Sequence, residues 1–268
     1  MGFDFRFLGP LQVWRGGRFI EIRAPKQRAL LAVLAIRAGQ VVSIDRLIEE
    51  LWGGAPPPSA RTTLYSLVFR LRRRLHAGVE VMGTRSPGYL LRVAPGALDF
   101  RRFEAGLVRG RAELAAQDHA RAARTFRDAL ALWRGQAFAD VPEIPLVQAE
   151  ARRLEELRLT ALEDRIEADL ALGRHALVAA ELYALVEEYP LRERLWEMLM
   201  LALYRSARQV DALRAFEQAQ QALAGHWGLT PGPGLKRMYE RILAADPGLM
   251  PMERSEPPPT ALGDPRDR

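Results

Sequence analysis

Apolar and polar positions repeat with two different periods along the chain. Near the N-terminus the period is two: Phe3, Phe5 and Phe7 alternate with Asp4 and Arg6. Two more short runs, 11–14 and 19–22, follow Gly9-Pro10 and Gly16-Gly17. This predicts a three-stranded antiparallel meander. From Pro25 the period turns helical. Ala29, Leu30, Val33, Leu34 and Ile36 mark a mostly apolar helix ending near Gly39. Val41-Val42 reads as a short extended piece, and Ser43 as the N-cap of a second helix whose apolar face is Ile44, Leu47, Ile48, Leu51 and Trp52. Gly53-Gly54 and Pro56-Pro57-Pro58 break it. A third helix spans 57–75, with Leu64, Leu67, Val68, Leu71 and Leu75 as its buried stripe. Residues 79–82 then read as strand, 83–88 as turn and 89–93 as strand.

Beyond residue 98 the pattern is wholly helical, with segments at about 99–116, 118–133, 144–172, 176–189, 191–206, 210–227 and 235–245. An internal repeat runs through them. Trp196, Leu199, Ala212, Phe216 and Ala219 fall on tetratricopeptide (TPR) spacing, and Ala122, Phe126 and Ala129 recur on part of it. One repeat earlier, Gly173 stands against Ala207 and Leu182 against Phe216. Small residues let helices approach and Phe or Leu fills the adjacent space. A plain helical bundle would use the same packing. From 247 the chain is rich in Pro and charge and is expected to be disordered.

The fold class is therefore mainly α. An α+β winged helix-turn-helix domain at 1–98 precedes an all-α, TPR-like domain at 99–246 and a tail at 247–268.

Charge sharpens this division. The chain carries +6 overall, but residues 1–98 carry +9 and the rest −3. A polyanion partner is expected for the first domain only. There is no cysteine, which excludes disulfides, thiolate chemistry and Cys-based metal sites. No apolar run is long enough to cross a bilayer and no signal peptide opens the chain. These features point to the cytoplasm, without a membrane partner.

The third helix carries the candidate chemistry. Opposite its buried stripe lie Thr62, Ser66, Phe69 and Arg73, flanked by Tyr65 and Arg70, and this face has no acid. Hydroxyls, guanidinium groups and an aromatic ring are the groups that contact phosphates, base edges and thymine methyls. Arg70, Arg72, Arg73 and Arg74 crowd its last two turns, where cations also suit the helix dipole. A basic helix followed by a hairpin has the layout of a winged helix, with Arg85 in the turn of the wing. The candidate DNA-binding residues are Thr62, Thr63, Tyr65, Ser66, Phe69, Arg70, Arg72, Arg73, Arg74, Arg85 and Tyr89. A solvated basic face is the simpler alternative.

Enzymatic signatures are absent. His76, His119, His175 and His226 have no metal-type spacing, and there is neither a phosphate-binding loop nor a Gly-x-Ser-x-Gly nucleophile motif. Neither a cofactor nor a metal is expected.

The run 68–75 with Gly88-Tyr89 resembles the OmpR/PhoB type of winged helix. Pro58-Ser59-Ala60-Arg61-Thr62-Thr63-Leu64, Arg70-Leu71-Arg72-Arg73, Ala129-Leu130-Ala131-Leu132-Trp133-Arg134-Gly135, Leu191-Arg192-Glu193-Arg194-Leu195 and Gly228-Leu229-Thr230-Pro231-Gly232 extend the likeness over roughly 3–246. Together they resemble the Streptomyces antibiotic regulatory protein (SARP) family, small form. The resemblance implies a winged helix followed by a bacterial transcriptional activation domain, and a pathway-specific activator of antibiotic biosynthesis genes. It also implies binding to direct repeats in promoters, recruitment of RNA polymerase and a homodimer, at least on DNA. The family usually has a small polar residue in place of Phe69, and often a residue more polar than Leu67, which leaves base preference open. Phe69 could touch a thymine methyl, stack on a neighbouring subunit or lie against the sheet. A repressor with the same DNA-binding domain and a TPR-like interaction scaffold stay open, as does a small-molecule ligand of the helical domain.

Overall fold

A computed structural model describes residues 2–75 and 81–250. Strands β1 (Phe3–Arg6), β2 (Gln12–Arg15) and β3 (Arg18–Ile20) form the expected antiparallel meander in that order. The β2–β3 turn is Gly16-Gly17, both at positive φ, the backbone a tight hairpin turn demands. Phe5 faces Val13 across the sheet and both are fully buried, while Asp4 pairs with Trp14 on the other face.

Helix α1 (Pro25–Ile36) is buried continuously from Ala29 to Ala35. After β4 (Val42–Ser43), the Ser43 hydroxyl caps α2 (Ile44–Trp52) by accepting from the Arg46 amide at 3.2 Å. Helix α3 (Ala60–Arg74) buries Leu64, Leu67, Val68 and Leu71 against α1 and α2, as its apolar stripe predicts. It begins at Ala60 and not at Pro57, because 57–59 form a turn that leads into it.

The wing differs from its sequence reading. Strands β5 (Met82–Arg85) and β6 (Gly88–Leu91) are joined by the two residues Ser86 and Pro87, and β4 completes a sheet in the order β4-β6-β5. Gly83 and Gly88 therefore lie in strands, although they read as turn residues. Gly88 is there because β4 comes so close: a Cβ at this position would sit 1.8 Å from the Val42 carbonyl oxygen. Arg85 ends β5, opposite Gly88, and is exposed. Val79 and Glu80, read as the start of the strand, lie outside the described residues.

The helical part comprises α4 (Asp99–Ala115), α5 (His119–Leu130), α6 (Pro145–Ala171), α7 (His175–Glu188), α8 (Glu193–Arg205), α9 (Gln209–Trp227) and α10 (Pro233–Leu243). Helix α5 stops three residues before Trp133, whose amide closes a turn onto the Leu130 carbonyl. The repeat packs as its spacing implies. Ala129 and Phe126 of α5 press into Gly106 and Gly110 of α4, where a Cβ would meet them within 2.8 Å. In the later repeats Leu182, Leu199 and Ala212 are fully buried, and Phe216 stacks on Tyr239 at 4.4 Å.

Packing divides the chain into two compact units, residues 1–169 and 170–268, so the meander and the helices that directly follow residue 98 share one unit. The reason lies in the meander. The Phe7 and Leu8 amides donate to the buried carboxylate of Asp99 at 2.8–2.9 Å. The Arg134 and Phe138 amides donate to the Leu8 and Phe7 carbonyls, both at 2.7 Å. Phe7, Phe100 and Phe138 then share one aromatic cluster. The first helices after residue 98 thus complete the core that the meander began.

The segment from 247 also departs from its reading as a tail. Pro247–Leu249 form a single 3-10 turn, Leu249 is buried, and the Leu249 carbonyl accepts from Arg205 at 2.6 Å. Burial of Leu249, the Arg205 bond and the Asp246 carboxylate that accepts from the Gly248 amide at 2.8 Å together hold this turn. The rest of the expected tail, from residue 251, lies outside the described residues.

Candidate nucleic-acid interface

The helical period of α3 sorts its residues. Thr62, Tyr65, Ser66, Phe69, Arg70, Arg73 and Arg74 are exposed and Thr63 is half-buried. Phe69 is 65% exposed, so it does not lie against the sheet. No acid stands among them, and Arg70 and Arg73 form no ion pair among the described residues. Asp45 of α2, a carboxylate on the helix-turn-helix surface, is taken by Arg61 at 2.6 Å.

Two expected contact residues are placed otherwise. Arg72 turns toward the wing, donating to the Met82 carbonyl at 2.6 and 2.9 Å and to the Thr84 hydroxyl at 2.8 Å. Its guanidinium lies over the Tyr89 ring, 5.6 Å from the centroid. Tyr89 itself is only 7% exposed, and burial pushes its phenol above the ordinary range, against the opposing charge of Arg72. The pair braces α3 against β5 and β6. Helical spacing sets Arg72 about 100° from Arg73, but only the packing of β5 and β6 beside α3 supplies its partners.

Arg74 bridges two surfaces. One of its N–H groups donates to the Glu21 carbonyl at 2.9 Å. On one side it lines an open recess of about 540 Å³ with Arg70, Arg73 and Gln27 of α1. On the other it joins Arg15, Arg18 and Phe19 around the β2–β3 hairpin. Gln27 and the hairpin arginines carried no sequence signal. They are far from α3 in the chain, and only the packing of α1 and β3 beside it brings them there.

An exposed basic helix, braced by a three-stranded wing and followed by TPR-like helices, is the architecture of a bacterial winged-helix transcriptional regulator. Two family models match the chain: "Transcriptional regulatory protein, C terminal" over 21–91 and "Bacterial transcriptional activator domain" over 98–243. The chain belongs to the SARP family of transcriptional regulators, which are transcription factors and not enzymes. It is 40% identical over 255 residues to the regulatory protein DnrI of Streptomyces peucetius, covering 92% of this chain and 94% of that one. It is 43% identical over 246 residues to the regulatory protein AfsR of Streptomyces coelicolor, matching 91% of this chain but spanning only 24% of AfsR. Among solved structures, Mycobacterium tuberculosis EmbR, in complex with a low-affinity phosphopeptide, matches with a TM-score of 0.88 and 39% identity. That match covers 91% of this chain and 66% of the EmbR chain.

Proposed function

We propose that this chain is a sequence-specific, double-stranded-DNA-binding transcriptional activator. The observation that carries the reading is the acid-free exposed face of α3, with Arg70 and Arg73 unneutralised among the described residues. In this reading α3 enters the major groove. Thr62, Ser66 and Phe69 face base edges, with Phe69 suited to a thymine methyl, and Tyr65 flanks them. Arg70, Arg73 and Arg74 serve the phosphates, and Arg85 reaches the backbone or minor groove from the wing. Family membership supports binding to direct repeats as a homodimer, recruitment of RNA polymerase through the helical domain, and secondary-metabolite genes as targets. It also supports a cytoplasmic, nucleoid-associated site of action. No helix among the described residues is long and apolar enough to cross a membrane.

The experiment is binding of the purified chain to its neighbouring promoters and to scrambled DNA across a salt series. Preference for a promoter, protection of tandem repeats and a steep loss with salt are expected. Equal, salt-insensitive binding to every duplex would remove the DNA-reading function and leave an interaction scaffold. Transcription with purified RNA polymerase then separates activator from repressor.

A further inference from the structure

Gln27 lies in the first turn of α1, yet it is only 6% exposed. Its carboxamide makes no hydrogen bond among the described residues, and it lines the recess formed with Arg70, Arg73 and Arg74. The amide is not sealed from solvent: it opens onto the recess and is free to donate there. Three guanidinium groups around one recess with no carboxylate in its lining repel one another. That repulsion falls, and the amide gains a charged acceptor, if a small anion with several acceptor oxygens enters.

We propose that this recess is a clamp for one phosphate group, supplied by the DNA backbone beside the groove that α3 enters. The inference rests on the DNA-binding reading above and adds a ligand from outside the helix-turn-helix. The Gln27 amide N–H and the guanidinium N–H groups of Arg70 and Arg73 donate to the non-bridging phosphate oxygens. Arg74, tied to Glu21 through one N–H, contributes charge and fixes the wall of the recess. Arg73 then anchors the backbone and does not read a base. The clamp sets how deeply α3 sits in the groove without itself discriminating sequence.

The test compares the full chain with Gln27→Glu, which keeps the shape of the side chain but turns an oxygen charge toward the phosphate. Binding is measured to promoter and scrambled duplexes across a salt series, with thermal melting to show that each variant is folded. Gln27→Glu is expected to weaken both duplexes by the same factor, about tenfold or more, and to flatten the salt slope by about 1. A neutral methylphosphonate linkage, walked along the promoter site, is expected to weaken the wild-type protein at one position per half-site. The same linkage leaves Gln27→Glu and Arg73→Gln unchanged. Arg73→Gln, at an exposed position, carries this comparison should the buried substitution unfold the protein. Wild-type affinity for Gln27→Glu, or a loss confined to the promoter duplex, would overturn the clamp. Melting in inorganic phosphate against chloride at equal ionic strength checks the other source. If phosphate stabilises the wild type while Gln27→Glu leaves DNA binding untouched, the occupant is a free phosphate ester and the backbone assignment falls. Loss of salt-dependent DNA binding in the wild type itself would instead sink the DNA-binding reading, and the clamp with it.

Discussion

Arginine plays opposite parts in two regions of the same packing unit. In the α4–α6 helices several arginines are neutralised by the protein's own carboxylates. Arg111 meets Asp164 at 2.7 Å, Arg127 meets Asp169 at 2.5 Å, Arg165 meets Asp169 at 3.1 Å, and Arg153 holds both Glu104 and Glu150. On α3, Arg70 and Arg73 have no such partner among the described residues, and a recess separates them from the nearest elements. The residue type is the same in both places, and the position of carboxylates decides its role. A paired guanidinium fixes helices to one another. An unpaired one on an acid-free face is available to an external polyanion. Arg72 is a third case, satisfied by a carbonyl, a hydroxyl and a ring instead of a charge.

The largest effect that would break this comparison is at Asp169, which is 1% exposed and serves two arginines. Asp169→Ala leaves the nearly buried Arg165 without that carboxylate and is expected to cost about 3–5 kcal/mol, read from urea unfolding. DNA binding by the protein that remains folded should be unchanged. If instead stability holds and DNA affinity falls, the division of roles is wrong.

Arg70→Ala should do the reverse. It is expected to lower DNA affinity about tenfold, with stability changed by no more than about 0.5 kcal/mol. Filter binding and thermal melting on one preparation check both halves.

A smaller effect sharpens the picture of the helical repeat. Ala207 sits at φ +58, at the turn position that Gly173 occupies one repeat earlier at φ +79. Ala207→Gly relieves a left-handed alanine and is expected to stabilise the second unit by about 0.5–1 kcal/mol in urea. Gly173→Ala should cost a similar amount.

The smallest effect is electrostatic and lies on the meander. Burial pushes the Asp4 carboxyl up, but hydrogen bonds from Arg6 and Arg102 outweigh it and hold the group below its ordinary value of 3.8. A depressed carboxyl contributes stability that is present above the unfolded value and lost as pH falls through the folded one. The contribution is therefore flat from neutral pH to about pH 5 and fades below about pH 4. Because the pair is partly solvated, it amounts to about 0.5 kcal/mol. Asp4→Asn should remove that part of the acid limb in a pH series of melting curves.

Much of the fold was legible because its periods are clean. The stripe Leu64, Leu67, Val68, Leu71 and Leu75 predicted both the burial of α3 and the outward face of Thr62, Ser66, Phe69 and Arg73. The alternation of Phe3, Phe5 and Phe7 predicted the meander, and the Ala-x3-Phe spacing predicted the contact of α5 with α4. These depend on neighbours within one element, where geometry fixes which side chains share a face. Helix ends shifted by a few residues through local turns, while the larger misreadings involve contacts between segments distant in the chain. Gly83 and Gly88 resemble turn residues until β4 is brought against β6.

By itself, then, the sequence determined the elements, their buried faces, the basic character of the N-terminal third and the family. Only the tertiary structure decided that Asp99 and the segment 134–140 finish the meander's core, that Arg72 and Tyr89 brace the wing, and that Gln27 stands beside Arg70 and Arg73. The physical reason is that a helix or strand is specified by residues a few positions apart, whereas a hydrogen-bond or charge partner depends on which elements pack together, and no local period encodes that.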